Sequence, residues 1–146
     1  MISEIKDNIF LGSLEDASDL EKLQEKGITH VLNASLFDNF YPQHFTYLSL
    51  HMDDQITTNL LDFKDISNDF ISNVINNNGK VFVHCVVGAS RSPTLIICYL
   101  VEKDDYCIQR AIEHVYSKRK SIRPNNGFLQ QLSTLYGYFF LPYHDY

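Results

Sequence analysis

The chain has 146 residues, 45% of them apolar, and a formal net charge of −6. That length accommodates one domain with a hydrophobic core. The acidic balance argues against a broad nucleic-acid or anionic-membrane surface, which needs clustered lysine and arginine.

Residues 5–11 read as an edge strand. Ser13 is placed to cap a helix that runs to about Lys26 and is ended by Gly27. Residues 28–33, ITHVLN, read as a buried strand, and His44 to Leu50 as another. A long helix is expected from about Asn59 to Asn76, with Leu60, Phe63, Ile66, Phe70, Ile71 and Val74 at helical spacing and stopped by the Asn76 to Gly79 run. A strand over 80–84 precedes the motif described below, and helices near 92–103, 105–118 and 126–137 complete the chain. Strands early and helices later predict a single α/β domain over 1–146, with a central mixed sheet and helices on both faces. The longest apolar run, Leu95 to Val101, is too short to span a bilayer. Its first residues suggest neither signal peptide nor myristoylation site, so a cytoplasmic or nuclear protein is expected. Cys85, Cys98 and Cys107 form no CxxC pair, which speaks against a disulfide framework or a structural zinc site. Cys98 and Cys107 are expected as core thiols.

Residues 84–94 read HCVVGASRSPT, with Cys85 and Arg91 six positions apart. A buried strand ends just before this run and a core helix begins within it. The loop therefore opens a helix, whose N-terminus offers unpaired N–H groups and the positive end of the peptide dipole. An anion would be held there by the main-chain donors of Val86, Val87, Gly88, Ala89, Ser90 and Arg91. The same field favours an ionised Cys85. Arg91 supplies a planar fork for two phosphoryl oxygens, and Gly88 allows the positive φ that inward-pointing amides require.

These residues resemble the cysteine-dependent protein phosphatases of the small, dual-specificity type. The resemblance extends over nearly the whole chain: NIFLGSLEDASDLEKLQEKGITHVLN looks like the family's opening strand, helix and second strand, and IRPNNGFLQQL like its closing segment. Two positions depart from the pattern: Val87 stands where alanine is usual, and Ile56 where proline is common. The resemblance implies a phosphate-binding loop between a central strand and a helix, with Cys85 as nucleophile and Arg91 as clamp. It further implies that the Ser92 hydroxyl hydrogen-bonds the sulfur and helps it leave, and that His84 orders the loop. Matching the flanks of YLSLHMDDQITTNL puts Asp54 at the place of the general acid, with Asp53 the alternative one residue away. The implied activity is hydrolysis of phosphotyrosine and of phosphoserine or phosphothreonine in protein substrates, with no metal or other cofactor.

Two other readings are retained: a binding module for phosphorylated partners, and a phosphatase acting on lipid or RNA 5′-phosphates. The loop disfavours the lipid reading, because Val86, Val87 and Ala89 carry no charge to meet extra phosphates. Lys118, Arg119, Lys120 and Arg123 form the one basic cluster, read either as a solvated helix end or as a substrate-steering patch. The aromatic segment LYGYFFLPYHDY is expected to pack mainly on the core, and it is also a candidate surface for weak homodimerisation.

Overall fold

The computed structural model describes residues 1–144. Five strands form one mixed sheet: β1 (Ser3–Lys6), β2 (Ile9–Gly12), β3 (His30–Asn33), β4 (Thr46–Ser49) and β5 (Val81–His84), in the order β1-β2-β5-β3-β4. Only β1 is antiparallel to its neighbour. The expected 5–11 strand is thus two strands, because the chain reverses at Asn8. Its φ of 73° is the left-handed conformation that asparagine tolerates better than most residues.

Side chains alternate across the sheet as a period of two demands. Leu11, Leu32, Val81 and Val83 enter the larger core, while Phe10, Val31 and Phe82 enter a smaller one on the opposite face. The smaller core is covered by α1 (Leu14–Ala17) and α2 (Leu20–Glu25), through Ala17 and Leu23. The larger core receives α3 (Lys64–Asn76), α4 (Arg91–Lys103), α5 (Ile108–Lys118) and α6 (Asn126–Tyr136). Helices therefore lie on both faces, as expected. β5 runs between β2 and β3 with all four residues buried. Such burial on both faces explains the apolar run of its first three residues, Val81, Phe82 and Val83.

The helices differ from expectation at their ends, for local reasons. Ser13 and Asp16 form a capping box, but Asp19 caps a second start by accepting from Lys22 N–H, so one expected helix becomes α1 and α2. Asn59 caps a short 3₁₀ turn over Leu60–Asp62, after which Phe63 leaves helical geometry before α3 begins. Ile66 is 55% exposed, so it does not belong to the core stripe assigned to it. Asp105 at φ 60° and an extended Cys107 delay α5 until Ile108. Cys107 is exposed, contrary to expectation, because it caps that helix and does not lie within it; Cys98 is fully buried.

The aromatic tail divides. Tyr136, Phe139 and Tyr143 pack against the larger core, whereas Tyr138 and Phe140 are exposed. The Gln109 side chain fixes the turn by donating to the Phe140 carbonyl and accepting from its N–H. The last two tail residues fall outside the described residues. No described helix is long and apolar enough to cross a membrane.

Candidate active site

Residues 85–90 connect β5 to α4 at the C-terminal edge of the parallel strands, where open α/β sheets place their ligands. The loop's conformation follows from where its carbonyls go. The Cys85 carbonyl accepts from His84 Nδ1 at 3.0 Å, and the Val86 carbonyl from Leu14 N–H at 2.8 Å. Those of Val87 and Gly88 accept from Arg119, at 3.2 and 3.0 Å. The Ala89 carbonyl accepts from Arg123 N–H at 2.6 Å, and that of Ser90 from Thr94 N–H and Oγ1 at 3.2 and 2.7 Å. Every carbonyl of the loop is thus claimed by a donor flanking the loop or beyond it. The peptides are trans, so each following N–H points the opposite way. That leaves the N–H groups of Val86 through Arg91 to face the other side of the loop, the bowl in which a nest would hold an anion. Gly88 has φ 78°, as the reading of the motif requires.

Cys85 is 2% exposed and begins this loop, its Sγ 3.1 Å from Ser92 Oγ. Ser92 is in the first turn of α4 and fully buried, so its hydroxyl is held against the sulfur. Arg91, 8% exposed, donates from Nη1 to the Met52 carbonyl at 2.8 Å. Its Nε is buried without a protein partner among the described residues. Leaving a buried donor unpaired costs about 1–3 kcal/mol, so this guanidinium edge favours an oxyanion.

Asp54 reaches the loop and Asp53 does not. Asp54 Oδ1 accepts from Ser90 Oγ at 2.7 Å and from Asn125 Nδ2 at 2.8 Å. Both donors fall on Oδ1, which leaves Oδ2 as the oxygen with room for a proton. At Asp53 it is the backbone carbonyl that is held, by Thr58 Oγ1 at 2.9 Å, while the side chain is exposed. Asn125 also caps α6 by accepting from Phe128 N–H, so the closing helix and the acid loop are fixed by one side chain. The sequence reading did not single out Asn125 or Met52. Asn125 was visible as a cap residue before a helix, whereas the Met52 carbonyl, being backbone, left no mark in the sequence.

His84 is 1% exposed and stacks on Phe82 with ring centroids 5.6 Å apart. Burial pulls its pKa below the ordinary histidine value and the Arg91 charge adds to that, while the bond to the Cys85 carbonyl opposes it. The ring is accordingly neutral near pH 7, with Nδ1–H donating to that carbonyl. Cys98, on the same helix as Arg91, has its pKa pushed up to about 12 by burial, so it stays a thiol. The basic cluster divides, with Lys118 exposed in the last turn of α5 as the helix-end reading expects. Arg119 is turned onto the loop, Arg123 lies over the Tyr143 ring at 3.9 Å, and Lys120 over the Tyr116 ring at 4.5 Å.

Residues 9–137 match the dual specificity phosphatase catalytic domain family. The chain is 38% identical over 136 residues to a Protein phosphatase Slingshot homolog from Xenopus laevis, covering 92% of this chain and 20% of that protein. It is 35% identical to the Tyrosine-protein phosphatase yvh1 from Schizosaccharomyces pombe, covering 92% of this chain and 41% of that one. It thus spans a fifth of the one relative's length and about two fifths of the other's. Among solved structures, the human tyrosine phosphatase-like serine/threonine/tyrosine-interacting protein superposes with a TM-score of 0.85 at 33% identity, covering 92% of this chain and 94% of that one. With a thiol, a guanidinium and a carboxylate gathered at one strand-to-helix loop, and with that match over most of its length, the chain belongs to the dual-specificity phosphatase family.

Proposed function

We propose that the chain hydrolyses phosphate monoesters on phosphorylated proteins, at tyrosine and at serine or threonine, through a cysteinyl-phosphate intermediate. The observation that carries this reading is Cys85 Sγ lying 3.1 Å from Ser92 Oγ at the start of a loop whose six carbonyls, Cys85 to Ser90, are all held by other donors. Phosphoryl transfer needs an in-line nucleophile, stabilisation of charge on the equatorial oxygens, and a proton for the leaving oxygen. The loop amides and Arg91 meet the equatorial oxygens. Cys85 attacks phosphorus, so that an S–P bond forms while the P–O bond to the substrate breaks. Asp54 Oδ2 passes its proton to the departing oxygen. In the second step water attacks phosphorus and loses a proton to Asp54 while the S–P bond breaks. The Ser92 hydroxyl then donates to the sulfur, which departs as thiolate, and inorganic phosphate is released. His84 takes no part in proton transfer; it holds the Cys85 carbonyl turned away from the bowl.

A reducing compartment, cytosol or nucleus, belongs to this reading, because a thiol nucleophile must escape oxidation to work. The test is hydrolysis of para-nitrophenyl phosphate and of phosphotyrosine and phosphothreonine peptides by the chain and by Cys85→Ser. Turnover abolished by the substitution supports the proposal. An inactive parent chain that still binds phosphopeptides would replace it with a binding module.

A further inference from the structure

We infer that Arg119 is a positioning residue for catalysis: its guanidinium locks the two peptide planes on either side of Gly88, keeping the Gly88 and Ala89 N–H groups turned into the bowl. The inference rests on the phosphatase reading and concerns the same loop. Arg119 stands just beyond α5, where the chain leaves helical geometry, and is half-buried. Nε donates to the Gly88 carbonyl at 3.0 Å and Nη2 to the Val87 carbonyl at 3.2 Å. Nη1 donates to the Met1 carbonyl at 2.7 Å and to Ser3 Oγ at 3.1 Å, so β1 and the segment before it form the opposite wall.

The need for such a lock follows from the glycine. Gly88 has no side chain to restrict its dihedrals, and it is the one position in the loop with positive φ. Rotation of either flanking plane would turn an N–H out of the bowl and aim a carbonyl dipole at the phosphate. The other loop carbonyls are held by backbone donors or by side chains of residues 84 and 94, close by in the chain; these two depend on one distant side chain. Arginine suits the task because its planar fork reaches two carbonyls at once, whereas lysine offers one point charge. The approach also uses the bare glycine, since a Cβ there would lie 2.7 Å from Arg119 Nη2.

The experiment compares the parent chain with Arg119→Gln and Arg119→Lys. It reads kcat and KM for para-nitrophenyl phosphate, calorimetric affinity for orthovanadate as a phosphate analogue, and Tm. Losing one oxyanion donor typically costs about 10²–10³ in kcat. Since a freed plane spends only part of its time flipped, Arg119→Gln is expected to lower kcat about 10–100-fold and to weaken vanadate by a similar factor. Arg119→Lys is expected to recover less than half of the logarithmic loss. The inference is overturned if lysine restores both quantities, since charge alone would then suffice. It is equally overturned if glutamine lowers only Tm, leaving kcat and vanadate affinity intact in the folded protein. If the parent chain fails to turn over substrate, the phosphatase reading falls, while vanadate affinity still tests the role of Arg119.

Discussion

Replacing Gly88 by alanine would probe how tightly the bowl is built. Two penalties combine at this position. The residue has φ 78°, a conformation that costs a non-glycine residue roughly 1–2 kcal/mol. The added Cβ would also lie 2.7 Å from Arg119 Nη2, 2.7 Å from the Gly12 carbonyl oxygen and 2.9 Å from its carbon, where ordinary contact begins at 3.4 Å. The arginine tip can swing aside. Gly12 cannot, because it ends β2 and pairs with His84 in the sheet. The loop itself must therefore move by ~0.7 Å, and since a misplacement of about 1 Å can cost about 10²-fold, kcat/KM should fall about 30–100-fold. At roughly 2–4 °C per kcal/mol, Tm should drop by about 2–8 °C. Gly137→Ala separates the two penalties: φ there is 99° and nothing lies within 4 Å of the new Cβ, so it should lower Tm a little and leave turnover unchanged. Initial rates on para-nitrophenyl phosphate with thermal melts of both variants are the assay. A Gly88→Ala enzyme within threefold of the parent would refute the claim that loop geometry limits the reaction.

Asp54→Asn should lower kcat on aryl phosphates by about 10²–10⁴, the usual worth of a general acid, while Asp53→Asn should leave it nearly unchanged; equal losses in steady-state assays would reject the assignment to Asp54. Because the folded-state pKa of His84 lies below the ordinary histidine value of 6.5, the unfolded chain takes up its proton first as pH falls. The stability tied to a neutral His84 is therefore intact above about pH 6.5 and lost as pH falls towards the folded value, with a slope of at most about 1.4 kcal/mol per pH unit. Urea midpoints at several pH values should reveal that slope, and it should flatten in His84→Asn, whose amide can still donate to the Cys85 carbonyl; an identical slope would exclude His84 as its source. With its pKa near 12 and no exposed surface, Cys98 should resist iodoacetamide in the native protein while the exposed Cys107 is labelled. Peptide mass spectrometry showing both labelled at equal rates would contradict the burial.

The spacing from His84 to Ser92 was enough to place a thiol, a guanidinium and a hydroxyl on one strand-to-helix turn, because those positions are local and their relation is set by a few dihedrals. The same holds for the apolar β5 run, since a strand buried on both faces has no polar side to show. Tertiary structure decided everything that depended on distant donors. It turned Asp54, and not Asp53, onto the loop through Ser90 and Asn125. It turned Arg119 from a supposed solvated or steering charge into the partner of two loop carbonyls. It also took Ile66 and Cys107 out of the core to which periodicity and residue type had assigned them. The division has a physical basis. Hydrophobic period and turn chemistry are written into neighbouring residues, whereas the direction of a peptide plane depends on which donor folding brings to its carbonyl, and that donor is 31 or 32 residues away for both carbonyls held by Arg119.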